Sequence, residues 1–318
     1  MKKITILVPA YNEEQVLNMF YDQVLLTLDT IQNYSFEILF VNDGSKDNTL
    51  EILKKLREQD KRVSYINLSR NFGKEIAMIA GLDYADSDAV IIMDADLQDP
   101  PELIPEMIQY WEEGYDDVYA KRRSRDGESA MKKLTSRQFY KLLKKLTKVP
   151  IQEDTGDFRL LDRRAVNALR EFREAQRYTK GMFSWIGFHK KEILFDRDKR
   201  GAGQTKWNYF QLMNLAMEGI TSFTTAPLRL SALSGVLISI IAFIFMIWTF
   251  IKTLLFGESV SGYPSLMVVI LFLGGIQLLS LGIIGEYLGR IFNETKQRPL
   301  YFVDRHNEEK VESVKYKK

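Results

Sequence analysis

The sequence predicts an α/β fold built on a mostly parallel sheet, followed by a pair of membrane-spanning helices. Three observations lead there. Short β-branched runs alternate with helical stretches of about ten to fifteen residues over the first third of the chain. The run Val90-Ile91-Ile92-Met93 is apolar without a break, as a strand covered on both faces requires. Finally, Leu230 to Ile251 and Ser259 to Gly285 contain no charge, and each can supply the roughly 20 apolar residues that cross a bilayer as a helix.

Ile4 to Val8 is the first expected strand, and Pro9-Ala10-Tyr11-Asn12-Glu13-Glu14 turns into a helix from about Gln15 to Ile31. Phe36 to Val41 is the second strand. Its polar loop, Asn42 to Thr49, holds a turn glycine and N-cap residues for a helix over Leu50 to Glu58. Val63 to Leu68, the loop Ser69 to Lys74 and a helix to about Tyr84 repeat the unit before the strand at Val90. Such units join parallel strands by right-handed crossovers, and the loops after parallel strands gather on one edge of the sheet. Ala10 to Glu13, Asp43 to Ser45, Asn71 to Lys74 and Asp94 to Gln98 are therefore expected to line one crevice.

Asp94 and Asp96, two apart on an extended segment, share a face and can offer two carboxylates to one hard cation. Alone, such a pair is more often an acidic turn before a Pro-capped helix, and Pro100 and Pro101 follow here. Composition narrows the choice. The chain has no Cys and two His, His189 and His306, so any metal must rest on oxygen. It has neither G-x-G-x-x-G nor G-x-x-x-x-G-K-[ST], so phosphates would need a metal to hold them.

Leu103 to Glu113 is an expected helix and Asp116 to Lys121 a strand. Lys121 to Ser129 is then a basic loop carrying Arg122, Arg123 and Arg125, with a Lys-rich helix over Met131 to Lys148 behind it. A solvated face and a nucleic-acid arm are both open to such a run, but two membrane spans favour a grip on a lipid phosphate. Arg forks bind phosphate in bidentate fashion, and basic residues near anionic headgroups gain about 1 kcal/mol each. No nucleic-acid partner is expected. Asp157 and Arg159 share a face of the strand Asp157 to Leu161, where an exposed ion pair at the rim would contribute about 0 to 1 kcal/mol. Asp196 to Trp207 is a polar, basic loop able to close over phosphate, with Arg200, Thr205 and Lys206 as its candidates.

Residues 207–228 suit interfacial amphipathic helices ended by Pro227, and residues 229–290 hold the spans, near 230–252 and 264–289. Arg229 precedes this hairpin and Arg290, Lys296 and Arg298 follow it, while its short turn has little positive charge. The large segments on either side of the hairpin, with both termini, should thus face the cytoplasm. Gly274, Gly275, Gly282, Gly285 and Gly289 permit close helix contact, so association into a homo-oligomer through the hairpin or the tail is expected. The tail, residues 291–318, reads as disordered from Asn307.

The strings Val8-Pro9-Ala10-Tyr11-Asn12-Glu13, Val41-Asn42-Asp43-Gly44-Ser45 and Asp94-Ala95-Asp96-Leu97-Gln98 together resemble the family 2 glycosyltransferases of GT-A fold. Asp154 to Arg163, Gly203-Gln204-Thr205-Lys206-Trp207 and the two spans are similar to the branch that loads polyprenyl phosphates, the dolichol-phosphate mannose synthase and bactoprenol glucosyltransferase type. The resemblance implies a GT-A domain over residues 1–206. Within it, Pro9, Tyr11, Glu13 and Asp43 would hold the nucleotide, Lys74 would touch the donor, and Asp94, Asp96 and Gln98 would hold Mg2+ or Mn2+ with the diphosphate. An Arg of the basic loop, best matched by Arg122 and next by Arg125, would take the acceptor phosphate. Asp157 and Arg159 would act in catalysis, Asp157 as an orienting group or as a base.

The implied reaction is inverting transfer of a hexose, glucose from UDP-glucose, to undecaprenyl or another polyprenyl phosphate at the cell membrane. Elongation of a polysaccharide is a weaker alternative, because the Q-x-x-R-W run of processive synthases is missing. A non-catalytic binder of nucleotide sugars is a third, against which the intact Asp94 and Asp96 argue.

Overall fold

The computed structural model describes residues 1–123, 155–175, 177–196, 224–256 and 262–311. They fall into two units, residues 1–216 with 298–318, and residues 217–297.

In the first unit, β1 (Lys2–Ala10) lies at the centre of the sheet, buried from Ile4 to Val8 on both faces. The chain steps outward on one side through α1 (Leu17–Leu28), β2 (Tyr34–Asn42), α2 (Thr49–Gln59) and β3 (Val63–Leu68). It returns through α3 (Lys74–Tyr84) to lay β4 (Ala89–Ile92) on the other side of β1. This reversal creates a switch point between the ends of β1 and β4, the crevice where open α/β sheets bind ligands. α3 approaches β1 so closely that a Cβ at Gly81 would lie 2.0 Å from Leu7 Cδ1, so a larger residue there would require the Leu7 side chain to shift.

A 3-10 turn (Pro101–Leu103) and α4 (Ile104–Glu112) lead to β5 (Asp117–Arg122) and, further along, β6 (Thr155–Asp162). β6 inserts antiparallel between β4 and β5. α5 (Arg163–Glu171) is capped by Asp162, whose side chain accepts the Arg164 N–H at 2.9 Å. α6 (Thr179–Trp185) and β7 (Lys190–Phe195) complete that flank. Every described strand of the sheet runs the same way except β6 and β8, which accords with the mostly parallel sheet expected.

The C-terminal segment departs from expectation. Rather than a loose tail, Val303–His306 forms β8, antiparallel to β3, and Glu309–Lys310 forms β9. Asn307, where disorder was expected to begin, accepts the Tyr65 N–H at 2.9 Å and donates its own N–H to Tyr65 O at 2.8 Å. Backbone pairing, absent from any side-chain pattern, orders this stretch.

In the second unit, α7 (Ala226–Phe256) and α8 (Tyr263–Thr295) are two helices long and apolar enough to cross a membrane, and they contact one another. Glu286 is paired with Arg290 one turn on, at 3.1 Å. A Cβ on Gly274, Gly275, Gly282, Gly285 or Gly289 would meet nothing within 4 Å. Of the interfacial segment expected over residues 207–228, residues 207–223 lie outside the described residues, as does the basic helix over Met131 to Lys148, while Pro227 falls in the first turn of α7 and does not end a helix.

Candidate active site

The nucleotide-side loops are tied together by their own polar groups. Asn12, at φ 56°, donates its N–H to Ser45 Oγ at 2.9 Å and accepts the Lys46 N–H at 2.8 Å. Glu13 donates its N–H to Thr49 Oγ1 at 2.9 Å. The Asp43 carboxylate accepts the N–H groups of Phe72 and Gly73 at 2.7 and 2.9 Å, bringing the third loop under the second. Burial lifts the Asp43 carboxyl above its ordinary value, against the pull of those two donors. Gly44 turns at φ 64° with a hypothetical Cβ only 2.4 Å from the Arg70 carbonyl carbon. Pro9 is half-buried beside this turn, and Tyr11 is 41% exposed, available as a stacking face.

Beyond β4 the structure corrects one expectation. The strand stops at Ile92, so Asp94 and Asp96 lie in a turn and not on a shared strand face. That turn is set by Leu97 at φ 61°, by Asp96 Oδ1 accepting the Gln98 N–H at 3.2 Å, and by Asp99 accepting the Asp94 N–H at 3.1 Å. Gln98 is buried.

Lys74 at the start of α3 is the centre of the charged cluster. Its ammonium meets both oxygens of Asp94, at 2.6 and 2.8 Å, and Asp157 Oδ2 at 2.5 Å. Partial desolvation works against the ammonium, but the two carboxylates outweigh it and raise its pKa. Burial would raise Asp157, yet Lys74 first, then Lys180 and Arg159, hold it down at about 2.

Three members of this cluster were missed in the sequence. Glu75 accepts the Thr179 N–H at 2.9 Å and is pushed up to about 7, mainly by burial and next by the Asp157 charge. Asp99 is also pushed up to about 7, by burial and then by Asp94. Lys180 donates to Thr155 O at 3.0 Å, and burial lowers its pKa. For Glu75 and Lys180 the signal was available as charge inside otherwise packed stretches, Gly73-Lys74-Glu75-Ile76 and Tyr178-Thr179-Lys180-Gly181.

Arg159 differs from expectation. It is fully buried, ion-paired at 3.1 Å with the equally buried Asp117 and covered by the Phe183 ring at 3.7 Å, where an exposed pair with Asp157 at the rim was expected. Phe183 is buried in the core, whereas Trp185 is 60% exposed. Arg122 is half-buried at the end of β5, within electrostatic reach of Lys180. The Arg123 side chain is exposed, 3.8 Å from Asp196. Arg125, Arg200, Thr205 and Lys206 lie outside the described residues.

In this turn both Asp94 oxygens lie on Lys74 and Asp96 Oδ1 accepts the Gln98 N–H, so a divalent cation would draw on these two carboxylates in competition with those partners. Among the described residues no group of three or more acidic or imidazole side chains forms a closed set. Mg2+ is typically held by one or two carboxylates completed by substrate phosphates, which this turn can provide for.

A family model described as glycosyl transferase family 2 matches residues 5–170, the stretch that builds the sheet and the charged cluster. The chain belongs to this family. A second model, the GtrB C-terminal hairpin, matches residues 226–291. As a family 2 glycosyltransferase with a GT-A-like fold, the chain is similar over nearly its whole length to several relatives. The uncharacterized glycosyltransferase sll0501 of Synechocystis sp. is 50% identical, covering 95% of this chain and 94% of that protein. The bactoprenol glucosyl transferase of Shigella phage SfV is 46% identical, covering 95% and 98%. The prophage bactoprenol glucosyl transferase homolog of Escherichia coli K12 is 45% identical, covering 95% and 99%.

Proposed function

We propose that this glycosyltransferase moves glucose from UDP-glucose to a polyprenyl phosphate, undecaprenyl phosphate in a bacterial membrane, with inversion at the anomeric carbon. The supporting observation is that similarity to bactoprenol glucosyl transferases runs through catalytic domain and hairpin alike, over 95% of the chain. The hairpin spans the cell membrane, with the catalytic domain and both termini on the cytoplasmic side, consistent with Arg229, Arg290, Lys296 and Arg298 flanking it.

The donor nucleotide lies against Pro9, Tyr11, Glu13 and Asp43. Asp94, Asp96 and Gln98 would hold Mg2+ or Mn2+, which would supply positive charge to the departing diphosphate. A phosphate acceptor is already anionic near neutral pH, so the protein's task is to position it against like-charge repulsion. Lys180 and Arg122 present cationic groups for that task, joined by Arg123 and by the loop residues Arg125, Arg200, Thr205 and Lys206. Asp157, ionised across the neutral range, orients Lys74 and Lys180 and does not collect a proton.

Incubating membranes that contain the protein with radiolabelled UDP-glucose and undecaprenyl phosphate tests this. Label should enter an organic-extractable, acid-labile lipid. Label in polymer would replace the acceptor assignment, and no incorporation from any nucleotide sugar would remove the transferase assignment.

A further inference from the structure

The chain returns from α8 to the catalytic unit, and one side chain of that return reaches the nucleotide-side loops through a continuous file of hydrogen bonds. Asp304 on β8 accepts from Asn67 Nδ2 at 3.1 Å. Asn67 Oδ1 accepts from Asn42 Nδ2 at 2.7 Å, and Asn42 Oδ1 accepts the Ser45 N–H at 3.3 Å. Ser45 Oγ in turn accepts the Asn12 N–H at 2.9 Å, one residue from Tyr11. Asn42 and Asn67 are register partners on β2 and β3, and a break in register between Asn67 and Leu68 places Asp304 beside Asn67.

The order of this file is chemically constrained. An Asn amide offers both a donor and an acceptor, so either amide could flip. A carboxylate only accepts, so Asp304 obliges Asn67 to turn its NH2 outward and its oxygen toward Asn42. Asn42, buried to 1% exposure, must then answer with its own NH2, leaving its oxygen for the Ser45 backbone. The Ser45 N–H, which can only donate, sets the same sense from the other end, so the Asp304 carboxylate and the loop at the end of β1 hold both amides in one orientation. Asp304 itself is 42% exposed at its side chain, so its removal opens no core cavity.

We propose that Asp304 is a positioning residue for the donor nucleotide, acting through Asn67, Asn42 and Ser45 on the Tyr11–Asn12 turn. This rests on the donor reading above, which places the nucleotide at that turn. Tyr301 is the natural comparison, since it anchors the same returning segment through its OH to Asp83 at 2.8 Å but is no part of the file.

The test uses purified full-length protein and its variants Asp304→Ala, Asp304→Asn and Tyr301→Phe, with UDP and GDP as probes in the presence of Mg2+. Loss of one such ordering contact should weaken binding of the recognised nucleotide about threefold to tenfold in Asp304→Ala. KM for the nucleotide sugar should rise to match while kcat stays within twofold. Asp304→Asn can still accept from Asn67 and should bind within about twofold of the parent. Tyr301→Phe should lower the thermal midpoint without moving nucleotide affinity. Equal weakening in Asp304→Ala and Tyr301→Phe would reduce the effect to docking of the segment and overturn the proposal, as would unchanged affinity in Asp304→Ala. Were the parent to bind neither nucleotide, the donor reading would fall first and this proposal with it, a result distinct from either of those.

Discussion

Lys74 and Asp157 form a 2.5 Å ion pair that crosses from the start of α3 to the start of β6, with Asp94 as the second carboxylate on the same ammonium. Without that ammonium, two carboxylates would share one site, which like charges resist by taking up a proton. Lys74→Met should therefore raise the Asp157 pKa and slow glucosyl transfer, on the order of a hundredfold for a charged group at a reacting centre. The acid limb of the rate profile should move to higher pH. Lys74→Arg, which keeps the charge, should recover part of the rate. An unchanged acid limb in Lys74→Met would separate Lys74 from the titration of Asp157.

Asp157, held at about 2, lies well below the pKa at which a general base works best near neutrality, which supports the orienting role proposed above. Asp157→Asn keeps the size of the group and removes its charge. The expected outcome is a kcat lower by tenfold or more with the dissociation constant for UDP within about threefold of the parent, because the loss falls on orientation and not on nucleotide contact. Single-turnover rates and calorimetric titration with UDP separate the two quantities.

The cation proposed for the Asp94–Asp99 turn would take only part of its coordination from protein carboxylates, so binding of metal and nucleotide should reinforce one another. Mn2+ titrated in the presence of UDP should bind at least tenfold more tightly than Mn2+ alone, and Asp96→Ala should abolish most of that difference. Equal Mn2+ affinity with and without UDP would place the cation elsewhere.

Gly44 sits where two loops touch. At φ 64°, an added methyl would meet the Arg70 carbonyl carbon at 2.4 Å and the Asn71 nitrogen at 2.6 Å, both backbone atoms that cannot swing aside. Gly44→Ala should cost about 1 to 3 kcal/mol in stability and weaken nucleotide binding, since Asp43 next to it is what holds Phe72 and Gly73. Thermal unfolding with and without UDP measures both effects.

The parallel half of the sheet was legible because its signals are local. The β1 to β4 runs, their turn glycine and the helices between them follow from period, propensity and turn chemistry within a few residues. Convergence of the four loops then followed from topology alone. What escaped was set by long-range pairing. The Val303-Asp304-Arg305-His306 stretch has no apolar alternation, and its pairing with β3 spans some 237 positions of chain. Arg159 looked like a rim residue because nothing nearby in sequence shows that β6 slides between β4 and β5 and delivers it onto Asp117. Asp94 and Asp96 were correctly brought to the crevice but through the wrong geometry, since the strand stops before them.

Glu75 offers a test through pH. Its carboxyl is held at about 7 in the folded protein, chiefly because burial disfavours the charge and next because Asp157 is near, whereas an exposed glutamate titrates near 4.5. Between those two values the folded state binds more protons than the unfolded one, so stability must fall as pH rises. The contribution is fully present below about 4.5 and is lost on passing through about 7. Glu75→Gln keeps an oxygen to accept the Thr179 N–H at the start of α6 and removes the ionisation. It should match the parent near pH 5 and unfold at a higher temperature than the parent near pH 8, flattening the profile between. The shift should be largest with Asp157 intact, because Asp157→Asn removes one of the two causes that raise Glu75. Thermal midpoints of parent, single and double variants from pH 5 to 8.5 measure this. A difference between parent and Glu75→Gln that stays constant between pH 5 and 8 would mean that Glu75 ionises at an ordinary pKa, with water or a cation reaching it.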